Sequence, residues 1–567
     1  MKNRVVKALI SVLLIGSMLL TACASTKNGD GDGTESESSG QNDSQDSTEG
    51  EGTSDDGNAE ADYDPLGKYE EPITITSVKA INPYLTYDES IEGLESPMNN
   101  LWLDVYRDEL GIELEYLWTA DESVYEDKWN AMLADGEVPD IGYVPWSIYQ
   151  QLLKADMVED MTDYIENYAS DEYKEEIANS PDPTNLITVD GRIMGLPTTG
   201  VSQENVCLLW IRKDWLEAVD MPVPTTMDEL VATAKAFKEA NLGGDNTIGF
   251  PISKELNNGL IGCRGFFNAF GAHPDIWLEG EDGTLEYGIV QPEMKEALKV
   301  LQELYAEGLI QEDFAVQNSS QALELVASEQ AGMFFSLYWA AYSAATAAFE
   351  SDDWIVTSVP SADGSPSIVS DSTKTFWFFY VKKGFEHPEA AVKMVNLGLD
   401  IRYNWPDGMK DYYIWEDGTS AEYARFDVWH FRPWEQLQVH EEIKDAILTG
   451  NMTTLVENNK IYYDVCKAHY ENPESVTGAD RLAVYNYGIG GGYDVVGDLK
   501  DEGRILTDQY NGILSNDAQA ILNDVNTLLW AEYSKIIMGQ DIDTFEAAVE
   551  DWYNNGGDEV VQIVNEK

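Results

Sequence analysis

The run Val206-Cys207-Leu208-Leu209-Trp210-Ile211-Arg212-Lys213-Asp214-Trp215-Leu216 decides the fold. Its first six residues carry no charge, and five of them are aliphatic or aromatic. A strand with one wet face would alternate; an unbroken apolar run is the mark of a strand buried on both faces. Arg212 to Asp214 then turn the chain into a short helix that Pro222 and Pro224 end. A second helix is predicted after it, capped by Thr225 or Thr226, with Asp228 and Glu229 in its first turn and apolar positions through Phe237. At this stretch the chain is expected to leave one α/β lobe and enter another.

Upstream, Ile73 to Val78 and Gly111 to Tyr116 alternate like strands, and Val138 to Val144 begins a third. Helical patterning separates them, first through Leu101, Val105 and Leu110, then through Tyr125, Trp129 and Met132-Leu133. A β-α-β-α-β order predicts parallel strands joined by crossover helices, with ligands gathering beyond the carboxyl ends of the strands. Downstream, Met294, Ala297, Leu298, Leu301, Leu304 and Tyr305 recur at helical spacing. Ala331 to Phe335 reads as a strand with Tyr338 and Trp339 at its end, and Thr375 to Val381 as a strand returning to the first lobe. Between Trp405 and Trp434 aromatics are dense without periodicity, the pattern of loops bordering a cleft. Two helices close the chain, Ile521 to Met538 before Gly539 and Phe545 to Tyr553 before Gly556-Gly557.

The amino end is a targeting segment. Lys2, Arg4 and Lys7 precede an apolar core, Ala8 to Leu20, too short for a stable span. Leu20-Thr21-Ala22-Cys23 then matches the lipobox of bacterial lipoproteins, which makes Cys23 the expected site of diacylation. Residues 24–62 contain no Ile, Leu, Val, Met, Phe, Tyr or Trp and cannot bury enough surface to fold. Such a tether reaches roughly 30–40 Å as a flexible coil.

Formal charge is −68, from 35 basic and 103 acidic residues. The targeting segment contributes +3 and residues 24–71 contribute −13, which leaves −58 for the folded part. That field repels nucleic acid and anionic headgroups and disfavours a strongly anionic ligand. The remaining cysteines, Cys207, Cys263 and Cys466, are odd in number and form no CxxC; they read as small core residues.

Several stretches resemble one family. Trp210-Ile211-Arg212-Lys213-Asp214-Trp215-Leu216 followed by Pro224-Thr225-Thr226-Met227-Asp228-Glu229-Leu230 resembles a signature of the family 1 extracellular solute-binding proteins. These are lipoprotein receptors of bacterial ABC importers, many of them for sugars. Pro139-Asp140-Ile141, Gly191 to Thr198, Pro292 to Ile310 and the Met538-Gly539, Ile542-Asp543, Trp552 pattern resemble it as well. The resemblance implies an α/β, two-lobed, periplasmic-binding-protein-like (type II) fold, with a hinge of crossing strands and a ligand cleft between lobes. Residues 1–23 are then the lipoprotein signal peptide and 24–68 the acidic tether. The N-terminal lobe is expected to span 69–200 and 355–415, and the C-terminal lobe 201–354 and 416–567. The partners implied are a carbohydrate ligand and ABC permease transmembrane subunits, with a lipid anchor at the outer face of the plasma membrane. A monomer is expected, with no nucleic acid and no cofactor.

Sugar binding needs flat aromatic faces for the C–H side of a pyranose and planar polar groups for its hydroxyls. Aromatics at helical spacing, such as Trp129 and Tyr305, belong to the core. Those at strand ends or in irregular segments are the candidates: Tyr143, Trp146, Tyr338, Trp339, Trp377 and Trp434. Asn205, Arg264, Asp371 and Arg432 are the candidate hydroxyl partners, with Asp371 read in a polar loop before a buried strand. Arg212 reads instead as an ion-pair residue at the hinge.

An enzyme is the main alternative, such as a surface glycan hydrolase using two carboxylates. With 103 acids, carboxylate spacing carries no information, and GxSxG, HExxH and Walker patterns are absent. Some relatives carry a calcium loop after the helix that here ends near Phe237. The matching Asn241 to Thr247 has too few carboxylates, so no metal is expected there. A peptide or sensory receptor remains open as a different binding class.

Overall fold

A computed structural model describes residues 63–81, 95–198, 205–372, 377–404 and 434–566, apart from 281, 344–345, 352, 454, 456–458, 479 and 511. Strand β1 (Ile73–Ile81) pairs in parallel with β2 (Ile112–Asp121), in the register Ile73 to Ile112 through Ser77 to Tyr116. Gly111, at φ 70°, makes the turn into β2; a Cβ there would stand 2.6 Å from the Tyr69 carbonyl. Helix α1 (Glu122–Asp135) crosses over to β3 (Ile141–Pro145), from which α2 (Trp146–Lys154) starts directly. Asp140 fixes β3 beside β1. Its N–H donates to the Thr76 carbonyl, and its carboxylate accepts from the Thr76 N–H and hydroxyl at 2.9 and 2.6 Å.

The second lobe is built on β4 (Cys207–Arg212), in which all six residues are buried. Helix α3 (Met227–Glu239) opens on a complete capping box: Thr226 accepts from the Glu229 N–H and Glu229 accepts from the Thr226 N–H. Helix α4 (Arg264–Ala269) packs against the sheet. Strands β5 (Met333–Leu337) and β6 (Trp354–Thr357) flank β4, and both run antiparallel to it. The double-sided burial of β4 therefore comes from apolar layers on both faces of an antiparallel sheet, not from parallel crossovers.

Strand β7 (Val369–Asp371) also stays with this lobe. The boundary expected at 355 is thus corrected. Trp354, Val356, Val359 and Val369 all pack in the second core, because β6 is an edge of the β4 sheet. The return comes only with β8 (Trp377–Val381), antiparallel to β3 in the register Trp377 to Pro145 through Val381 to Ile141. Alternate residues of β8 feed opposite sides of the first lobe. Phe379 and Val381 join one apolar cluster with Ile75, Ile112 and Ile141; Phe378 and Tyr380 join another with Val78, Val144 and Trp129.

Helix α5 (Pro388–Asn404) covers the first cluster. Here the tether limit expected at 68 is corrected too. The Asn396 side-chain amide donates to the Pro65 carbonyl at 2.9 Å, and Lys393 Nζ donates to Gly67 O at 2.7 Å, so the chain is already docked by residue 65. The aromatic-rich segment 405–433 lies outside the described residues. Beyond it α6 (Glu435–Thr449), α7 (Lys460–Glu471), α8 (Asp480–Tyr487) and α9 (Gly492–Asp501) share an apolar cluster of their own. Strand β9 (Ile505–Thr507) pairs in parallel with β7. Helix α10 (Asn516–Ile537) and the helices Phe545–Trp552 and Asp558–Asn565 complete the second core. The last of these follows a turn at Gly556, φ 130°, and was not expected from the sequence. Cys207, Cys263 and Cys466 are free and buried, and burial pushes the thiols of Cys207 and Cys466 up to about 12.

Candidate functional site

The two crossings between lobes bring sequence-distant residues together. On the first-lobe side, Thr198 hydroxyl donates to the Trp377 carbonyl at 3.3 Å, tying the end of the outgoing chain to the start of the returning strand. Trp377 stands opposite Pro145 on the β3–β8 ribbon, two residues from Phe379, which faces Tyr143. The Tyr143 and Trp377 rings stack at 5.3 Å with 28° between their planes. Tyr125 of α1 supports them from behind: its ring lies 5.6 Å from Trp377, and its hydroxyl donates to the Tyr143 carbonyl at 2.8 Å. Both Tyr143 and Trp377 keep part of their surface exposed, as a flat apolar platform at a strand end requires.

Trp146 joins a different group. It stacks on Tyr149 at 5.4 Å and 17° and leans on Phe378 at 5.0 Å, so much of its ring is engaged in the core.

On the second-lobe side, Asn205 precedes β4 by two residues, and Cys207 faces Leu337 across the sheet. That register sets Asn205 beside the end of β5, where Tyr338 and Trp339 follow. Tyr338 packs its ring 4.5 Å from Tyr493 of α9, while the half-buried Trp339 opens the turn Ala340–Tyr342.

Arg264, read from sequence as a hydroxyl partner, is 6% exposed and already engaged. One terminal nitrogen donates to the Asn205 carbonyl at 3.1 Å; the other reaches the Asn257 carbonyl at 3.5 Å and lies 3.3 Å from the Asp275 carboxylate. The other Asp275 oxygen accepts from the Ser370 hydroxyl at 3.0 Å, and that hydroxyl accepts from the Asn268 amide at 3.2 Å. His273 closes the network, with Nδ1 3.2 Å from the Asn268 amide nitrogen, and burial pushes its imidazole down to about 4. A guanidinium and a carboxylate thus neutralise each other out of water, while Arg264 Nε and the Asp275 oxygen nearest the guanidinium stay buried with no hydrogen-bond partner among the described residues.

Asp371 is not in a loop. It is the last residue of β7, 2% exposed and opposite Thr507 of β9. Trp434, with φ 58°, wedges between the main second core and the α6–α9 cluster, with Lys500 Nζ 4.7 Å above its ring. Arg212 makes ion pairs, as expected, but with Asp214 at 2.7 Å and Glu329 at 3.3 Å, at the far end of β4 from Asn205. Arg432 and Cys23 lie outside the described residues.

The structure therefore gathers Tyr143 with Trp377 at one end of the crossings, and Asn205, Arg264, Tyr338, Trp339 and Asp371 at the other. Sequence reasoning missed Tyr125, Asn257, Asp275 and Ser370. Tyr125 sat in a helical pattern and was read as core, and nothing in the spacing of the other three links them to Arg264. Among the described residues no group of three or more His, Cys, Asp or Glu side chains is arranged to hold a metal ion.

The family model for bacterial extracellular solute-binding proteins matches residues 90–400, more than half of the chain. Lipoprotein LipO of Bacillus subtilis is 26% identical over 482 residues, 80% of this chain and 86% of LipO. Among solved structures, an HMO-binding, ABC-transporter-associated solute-binding protein from Bifidobacterium longum infantis is similar with a TM-score of 0.60 at 18% identity, covering 88% of this chain and 98% of that one. FusA, an ABC-transporter substrate-binding protein of S. pneumoniae solved in complex with kestose, has a TM-score of 0.57 at 16% identity, covering 87% of this chain and 98% of its own. The fold is the two-lobed, periplasmic-binding-protein-like (type II) α/β fold.

Proposed function

The chain belongs to the bacterial extracellular solute-binding proteins, and from that premise we propose that it captures a neutral oligosaccharide between its lobes and delivers it, unchanged, to an ABC permease. In this reading a diacylated Cys23 holds it at the outer face of the plasma membrane, as a monomer. The observation that carries the proposal is the Tyr143–Trp377 stack beside the crossings, supported by Tyr125 and still partly exposed. Two flat rings at that place suit the C–H face of a sugar, while the planar amide of Asn205 across the crossing suits its hydroxyls. The names of similar proteins point to carbohydrate, though not to one charge class: YtcQ of Bacillus subtilis, 28% identical over 229 residues, is a polygalacturonan/rhamnogalacturonan-binding protein by name. FusA is a fructooligosaccharide-binding protein by name, and its structure holds kestose.

Capture without chemistry suits the described residues better than hydrolysis does. The buried carboxylate at the crossing, Asp275, is bound to Arg264 and Ser370, not poised as an acid. Among the described residues no helix is long and apolar enough to cross a membrane. Ligand contacts on both lobes would favour a closed form over an open one, and capture follows from that shift. Thermal-shift screening of the full chain against neutral oligosaccharides and peptides tests the reading. Sugars are expected to raise the midpoint and peptides to leave it unchanged. Cleavage of a bound sugar by the pure protein, or a response to peptides alone, would overturn it.

A further inference from the structure

The Arg264–Asp275 pair is an expensive feature to place beside a crossing. Both side chains are 7% exposed, and a buried ion pair returns less stability than a well-packed apolar pair of the same volume. Its location is more informative than its strength. Arg264 binds the backbone of Asn205, which begins the second lobe after the first crossing. Asp275 binds Ser370, which stands one residue before the end of β7 and the second crossing. The pair therefore joins the second-lobe residues next to both crossings, and the function proposed above puts the ligand between the lobes at those crossings.

Resting on the function proposed above, we propose that Asp275 sets the charge class of the ligand. It cancels the Arg264 cation, so the site accepts neutral sugar hydroxyls and gives no purchase to uronic-acid sugars. An uncancelled guanidinium in a partly dry site would attract a uronate carboxylate strongly even across several ångströms. With Asp275 at 3.3 Å that attraction is spent internally, and the net negative field of the chain then acts unopposed on an anionic ligand. Ser370 and Asn268 hold the carboxylate in place. His273 beside them is neutral at pH 7, since burial lowers its imidazole to about 4, and it supplies no replacement cation.

The test compares neutral trisaccharides, kestose among them, with trigalacturonate on the full chain by calorimetry. The wild type is expected to bind at least one neutral sugar and to show no binding of trigalacturonate at tenfold higher concentration. Asp275→Asn, which keeps the shape and a hydrogen-bonding side chain, should bind trigalacturonate at least tenfold more tightly than the wild type and keep neutral binding within about threefold. Arg264→Gln combined with Asp275→Asn should abolish that gain, a dependence on the sign of charge that a purely structural role would not produce. A folded Asp275→Asn chain without the gain overturns the inference. So does a wild type that binds trigalacturonate more tightly than every neutral sugar, a measurement that needs no variant at all. If no sugar of either kind binds the wild type, the proposed function falls first and takes this inference with it.

Discussion

Replacing Trp377 with alanine removes a ring that touches both Tyr143 and Tyr125. Truncating a fully buried tryptophan costs about 3–5 kcal/mol. Trp377 is only half-buried, which reduces that part to about 2 kcal/mol, and the lost ring pairs at 5.3 and 5.6 Å add about 1 kcal/mol. The expected loss of stability is therefore about 3 kcal/mol, read as a lower urea midpoint for the ligand-free chain. Ligand binding should fall as well, because the exposed part of the indole is the flat face offered to the sugar. A contact of that kind is worth about 1.5–3 kcal/mol, or roughly 10- to 100-fold in Kd. Titration calorimetry with the sugar that raises the thermal midpoint reads this directly. Trp377→Phe, which retains a flat ring, should lose less than tenfold. A Trp377→Ala chain with native near-UV dichroism and unchanged Kd would refute the placement of the sugar on this platform, whatever its stability.

Other consequences can be checked without a ligand. The unfolded imidazole titrates near 6.5, while burial lowers that of His273 to about 4. Between those values the unfolded chain binds more protons, so the contribution is complete above pH 6.5 and is lost as pH falls toward 4, by about 3 kcal/mol; His273→Gln should flatten that limb of the urea midpoint against pH. The Asp494 carboxyl is held well below the usual carboxylate range by its contacts with His440 at 3.1 Å and Lys444 at 2.5 Å, so its stabilisation of the α6–α9 contact is complete above about pH 4 and declines gradually below it, vanishing only once pH falls through the lowered range of the folded carboxyl. Asp494→Asn should cost most stability at pH 7 and progressively less as pH falls below about 4, with a clear cost remaining at pH 3, measured by urea unfolding. Thr226→Ala removes half of a capping box and should cost about 1 kcal/mol at neutral pH in the same assay. Lys393 lies between the Tyr69 and Tyr168 rings at 4.8 and 5.6 Å and donates to Gly67 O. Lys393→Met should loosen the docked segment and bring faster cleavage by a protease between Asp64 and Tyr69; an unchanged cleavage rate would show that Asn396 alone holds it.

Much of the architecture could be read along the chain because it is written in local patterns. The β4 run had no residue that could face water, so it had to be a central strand. Thr226 and Glu229 stood at capping-box spacing, Gly539 stopped a helix, and the apolar run read as a strand over Thr375 to Val381 is one over Trp377–Val381. The site was legible only where exposure follows from local sequence. Tyr143 and Trp377 lie near the ends of apolar runs, so their candidacy was visible, whereas their stacking depends on the antiparallel pairing of β3 with β8, whose members lie more than 200 residues apart. Asp371 shows the opposite case: a polar stretch reads as a loop, but pairing with β9 buries it.

The charge and the main buried strands and capped helices could be read from the sequence alone, since each rests on composition or on a period of two or 3.6 residues, whereas the two-lobed fold was implied by resemblance to a family. Which residues meet was decided by tertiary structure alone. Arg264 looked like a free hydrogen-bond donor until folding set Asp275, eleven residues on, against it and Ser370 against Asp275. The lobe boundary moved from 355 to beyond 371 because β6 satisfies its backbone on the edge of β4. Pairing across a sheet and neutralisation of a buried charge are contacts at long separation, and no local pattern encodes which partner arrives.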